Sequence, residues 1–145
     1  MSVRFSTGLR NNMLNTTGLK GSLDLGFLHI YTGVQPTSSD SPVQGTELLK
    51  ITVDGGGTGL TLTVATLAVI QKAVVENWKG DGLTDGVAGW ARFKSATDTN
   101  TDNTTDARID MSVAQTGGDL NLSNTTVVTG APTTVDIFQI TMAES

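Results

Sequence analysis

The sequence has no cysteine, which excludes disulfide scaffolds, thiol nucleophiles and thiolate zinc sites together. It has one histidine, His29, so a His-rich metal site is excluded and a single candidate imidazole base is left. Charge is scarce: 16% of the 145 residues are Asp, Glu, Lys or Arg, against about 25% in an ordinary soluble domain. Three Glu and five Lys leave few strong helix formers, which argues against a helix-rich architecture. Long apolar runs are missing too. The longest uncharged stretch, Gly55 to Gln71, is interrupted by four threonines and falls short of the ~20 apolar residues a membrane span needs. The opening Met-Ser-Val-Arg-Phe-Ser-Thr-Gly lacks the apolar core of a secretory signal. That predicts a product made in a cytoplasm and kept there unless assembly carries it elsewhere.

Threonine, with 24 copies, and glycine, with 17, fill the space that charge leaves. β-branched residues and turn formers predict strands joined by tight loops. Residues 1–22 form a separate expectation: Phe5, Leu9, Met13 and Leu14 fall on one helical face, with Ser6 or Thr7 as cap and Gly18 as stop. That predicts an N-terminal arm or short helix. From residue 23 to 145 the pattern predicts a single all-β domain, an antiparallel β-sandwich or jelly roll. Leu60, Leu62 and Val64 alternate with threonines as a strand. Ala107, Ile109, Met111 and Val113 alternate with Arg108, Asp110, Ser112 and Ala114 as an amphipathic one. Thr66 to Trp78 is ambiguous between helix and strand, and its β-branched residues favour strand.

The net charge of −5 divides unevenly. Residues 1–23 hold Arg4, Arg10 and Lys20 and no acid (+3), while Asp24 onward holds six basic and fourteen acidic residues (−8). An acidic body does not attract nucleic acid, whereas a basic arm can reach an acidic partner.

Motifs that could carry chemistry are weak. Gly55-Gly-Gly-Thr-Gly59 precedes a strand pattern rather than the helix a phosphate loop needs, so it reads as a hairpin tip. Asp98, Asn100, Asp102 and Asp106 copy part of a calcium loop, but Asn103 and Ile109 stand where Gly and Glu are required. A solvated loop is the simpler reading. Asp81 and Asp85 could form a glycosidase pair, yet both sit beside glycines in a turn region. His29 has no neighbouring hydroxyl nucleophile in sequence. Trp78 reads as a core-edge residue. Alternation over Gly89 to Lys94 sets Ala91 and Phe93 against Trp90, Arg92 and Lys94; with Phe93 inward, Trp90 and Arg92 become an outward interface anchor. The competing reading puts Trp90 under a loop with the Arg92 stem across it. No catalytic, cofactor or metal site is predicted.

Several stretches taken in order resemble small virion structural proteins of tailed bacteriophages. They are His29-Ile-Tyr-Thr-Gly-Val-Gln-Pro36 with Ser39-Asp40, Gly45-Thr-Glu-Leu-Leu49, Gly89-Trp-Ala-Arg-Phe93, Arg108-Ile-Asp110, and Gly118-Asp-Leu-Asn-Leu122 with Thr125-Thr126. The similarity spans about residues 23–142. The resemblance implies a capsid decoration or cement protein on the virion exterior, a β-sandwich or jelly roll without catalytic residues. Its partners would be the major capsid protein and further copies of itself, as dimer or trimer, with neither nucleic acid nor membrane. The contacts expected on this reading are Arg4, Phe5, Leu9, Arg10, Met13, Leu14, Trp90 and Arg92. A tail or head–tail joining protein and a host-glycan-binding β-sandwich are the alternatives.

Overall fold

The computed structural model of the chain describes residues 3–142. Strand β1 (Arg4–Phe5) is followed by helices α1 (Thr7–Leu14) and α2 (Gly18–Leu23), then by β2 (Phe27–Thr32) and β3 (Glu47–Val53). The remaining strands are β4 (Val69–Gln71), β5 (Trp78–Asp81), β6 (Gly86–Lys94), β7 (Arg108–Ala114), β8 (Leu120–Asn121), β9 (Thr126–Val127), β10 (Pro132–Val135) and β11 (Gln139–Thr141). Strands β1, β7, β6, β2, β3, β5 and β10 lie side by side in that order, all antiparallel. Strand β9 adds to β6, β8 runs parallel to β7, and β4 with β11 makes a separate two-stranded ribbon. The fold is all-β and sandwich-like, with two short helices at its start.

Register divides the sheet into two faces. Leu28 opposes Phe93 and Ile51, Ile30 opposes Ala91 and Leu49, and Ile109 and Met111 continue the row on β7. This face is the hydrophobic core. Trp78, Phe93 and Phe138 meet there with ring centroids 5.3–5.8 Å apart, and Leu60, Leu62, Leu120 and Leu122 close it. Burying each such side chain contributes about 1.5–3 kcal/mol. Trp78 is fully buried in the core, and its indole N–H donates at 2.8 Å to the half-buried Glu76 carboxylate.

The opposite face carries His29 and Tyr31 of β2, Trp90, Arg92 and Lys94 of β6, and Arg108 and Asp110 of β7. An amphipathic strand would leave these residues wet. Instead they are all buried, because the loops 33–46 and 98–106 lie across them.

The N-terminal segment is built into the body. Strand β1 pairs with the edge of β7, and the Ser6 hydroxyl caps α1 by accepting from the Leu9 N–H at 3.1 Å. Ser6 also donates to the Asp106 carbonyl and accepts from the Arg108 N–H. Asp40 accepts from both the N–H and the hydroxyl of Thr7, placing a carboxylate at the helix N-terminus where the dipole favours it. Gly18, expected to stop the first helix, begins the second.

Two expected strands differ. Leu60 to Val64 is extended but makes only isolated bridges, since Asp24 accepts from the Leu62 N–H and Glu76 from the Thr61 N–H in place of a ladder partner. Thr66 to Trp78 resolves into a two-residue turn, the short β4 and a second turn into β5. In the first turn Thr66 and Val69 exchange both backbone hydrogen bonds, at 2.9 and 3.0 Å, around Leu67 and Ala68.

Candidate functional site

The polar face of the sheet holds most of the residues with chemical capacity. Arg92 makes a two-pronged contact with Asp110 at 2.7 and 2.9 Å, and both side chains are wholly buried. Its second prong also reaches the Ser41 carbonyl at 3.0 Å. Arg108 makes the same contact with Asp98 at 2.6 and 2.8 Å. It then donates to the carbonyls of Ser39, Asp40 and Thr101 at 2.7–3.2 Å. Lys94 donates to the Asp98 carbonyl at 2.9 Å. Two guanidiniums thus spend their donors on backbone oxygens of two loops, and the loops are fixed to the sheet. Burial pushes the Asp98 carboxyl up, but the hydrogen bonds and charge of Arg108 outweigh it and hold it below the usual carboxylate range. Burial likewise lowers Lys94.

This arrangement corrects the outward reading of Trp90 and Arg92. Trp90 is 0% exposed, stacks on Tyr31 at 4.7 Å and donates its indole N–H to the Gln44 carbonyl at 3.0 Å. Arg92 lies 5.6 Å over its ring. Neither reaches the surface, because the loop covering them takes up their donors. Leu9 is corrected in the same way: it is fully buried in the core and touches no solvent.

The remaining motifs hold structure. Asp98 is buried and faces inward onto Arg108, which corrects the solvated-loop reading at that position; Asp106 accepts from Asn103 within its own loop. Among the described residues no group of three or more His, Asp or Glu is placed to hold a metal ion. Asp85 accepts from the N–H and hydroxyl of Thr129, which keep it below the usual carboxylate range, and Asp81 is exposed beside Pro132 on the edge pair. His29 pairs through Nδ1 with Glu47 and stacks on Tyr31 at 6.4 Å. Its Nε2 is buried with no hydrogen-bond partner among the described residues. The hydrogen bond from His29 holds Glu47 low against the opposing effect of burial. Gly55 to Gly57 form a turn closed by a Val53–Thr58 bridge, a hairpin tip.

The arm residues that do reach the surface sit together on a different feature. An apolar groove of about 380 Å³ runs between the helices and the β4–β11 ribbon, lined by Met13, Leu19, Ile70, Ile140 and Met142 among others. A second hollow of about 290 Å³ adjoins it through Met13 and Met142 and is bounded by Phe5, Arg10 and Leu14. Leu14 is 87% exposed on its rim, and Val64, Leu67 and Met142 are exposed around it. Arg10, also exposed, folds back on Thr7; Arg4 is half-buried and donates to the Pro36 carbonyl. At the far end of β4, Val74 and Ile137 are exposed beside another hollow. Phe5, Arg10, Met13 and Leu14 are therefore brought together, whereas Leu9, Trp90 and Arg92 lie inside the body. Leu67, Ile140 and Met142 complete the surface. No sequence pattern pointed to them.

No protein-family model, curated protein or solved structure matches the chain. No helix among the described residues is long and apolar enough to cross a membrane.

Proposed function

We propose that the protein is a non-enzymatic structural component of a tailed-phage virion, a decoration or cement protein that binds the major capsid protein on the outside of the shell. The observation that carries this reading is the apolar surface formed by Leu14, Val64, Leu67 and Met142 around the groove. Apolar side chains clustered on one side of a well-packed body mark an association surface. The polar face supports the same reading, since its buried guanidiniums are consumed in fastening loops. A body with fixed loops loses little freedom on docking. Many copies on a lattice then convert modest contacts into a stable shell.

Antibody–gold labelling of native particles tests this. Label spread over the shell is expected. Label confined to the tail or the neck moves the protein to a tail or joining position, and particles without label overturn the virion reading.

A further inference from the structure

The turn at the edge of the groove has a backbone and a side chain that its own fold does not account for. Leu67 and Ala68 adopt φ of 52° and 61°, a left-handed region that strains any residue with a Cβ. Turns of this kind favour Asn-Gly, which adopts it freely. Among the described residues Leu67 is not packed in return: it is 93% exposed at the tip. Beside it, on the same surface, lies the groove lined by Met13, Leu19, Ile70, Ile140 and Met142. A knob and a hollow of matching apolar character therefore adjoin each other, which is the layout a two-fold, self-complementary contact requires.

Charge does not oppose this occupant. Two copies of a chain with net charge −5 repel each other in general, but no charged residue occurs from Gly55 to Gln71. On the helices, Lys20 lines the groove and pairs with Asp24, and Arg10 bounds the adjoining hollow. The turn is itself uncharged, so seating it against this wall sets no like charges against each other.

We propose that the groove is filled by Leu67 of a second copy, in a reciprocal dimer in which each copy supplies one knob and one hollow. This rests on the reading of the apolar surface as an assembly contact and names what covers it.

Sedimentation of the full chain over a concentration series provides the test, with a dimer expected for the wild type. Leu67→Asn combined with Ala68→Gly removes the knob and relaxes the turn. Compared at dilutions where both proteins are monomeric, that variant is expected to melt at the same temperature or higher, and it is expected to pair at least about tenfold more weakly. Thr17→Asp places a carboxylate in the groove at the α2 N-cap position, where Asp is favoured and Thr17 makes no cap bond. It is expected to weaken pairing similarly. Because either change alone disables a contact, mixing the two variants leaves one intact knob facing one intact hollow. The mixture should pair more tightly than either variant by itself. A wild type that stays monomeric, variants that pair as the wild type does, or a mixture no tighter than its components overturns the proposal. A monomer that still labels the shell overturns the self-pairing alone and leaves the shell reading standing.

Discussion

Asp110 has no solvent to fall back on, and neither does the guanidinium it faces. Removing one partner of such a pair leaves a buried charge uncompensated, which costs about 3–5 kcal/mol. Asp110→Ala is therefore expected to lower unfolding free energy by that amount in urea titration. Replacing Arg92 and Asp110 together by apolar residues should cost less, with the residue set by the lost Arg92 contact to the Ser41 carbonyl. Asp98 supplies the pH dependence. Its carboxyl is held low in the folded state, so as pH falls the unfolded chain takes up the proton first. The stability it contributes is complete above the ordinary carboxylate value near 4 and is lost below it. Melting temperature should be level from about pH 8 to pH 5 and fall below about pH 4. Asp98→Asn should melt lower at pH 7 with a shallower acid decline; an unchanged acid limb would remove Asp98 as its cause. These residues were partly legible. In a chain with little charge, Arg92, Lys94, Arg108 and Asp110 alternate within two apolar strands, and that concentration was the available signal for burial. What hid it was the partner set. Arg92 and Arg108 bond mainly backbone carbonyls of Ser39, Asp40, Ser41 and Thr101, besides their two aspartates, and a carbonyl has no sequence signature.

At the scale of elements, helix α1 shows how little room the N-terminal segment has. A Cβ on Gly8 would stand 2.3 Å from the Thr105 carbonyl oxygen, so helix and loop touch backbone to backbone. Gly8→Ala should destabilise by about 1–3 kcal/mol, read from thermal melts. Gly21→Ala, in α2, would meet only the Thr17 methyl at 3.2 Å and should be close to neutral. A short helix around Leu9 and Met13 was readable, and so were the periods of β6 and β7. The single helical face was not, since Phe5 lies in β1 and pairs with β7, and Leu14 is exposed where Leu9 is buried. The two-residue turn was not. Leu-Ala contradicts the preference that its backbone implies, so a reading based on turn chemistry passes over it. Nor was the broken ladder at Leu60 to Val64 readable, since alternation cannot reveal that Asp24 and Glu76 intercept its N–H groups.

For the whole molecule, the apolar surface and the basic residues near it make opposite predictions about salt. Raising ionic strength from about 0.1 M to about 1 M shortens the screening length from about 10 Å to about 3 Å. On the proposed shell reading, binding to shells stripped of the protein should hold or strengthen over that range if Leu14, Leu67 and Met142 carry it. A steep loss, read in a co-sedimentation assay, would transfer the contact to Arg4, Arg10 and Lys20. The all-β architecture was legible from composition and alternation, while the exposed apolar side was not, because exposure depends on how distant segments cover one another. That covering has a further result. After Lys79 the only basic residues are Arg92, Lys94 and Arg108, and all three are buried. A protease of trypsin's specificity finds no accessible bond between Gly80 and Met142 while the fold is intact. Digestion within this half of the chain therefore waits on unfolding, and its rate serves as a clock for that event.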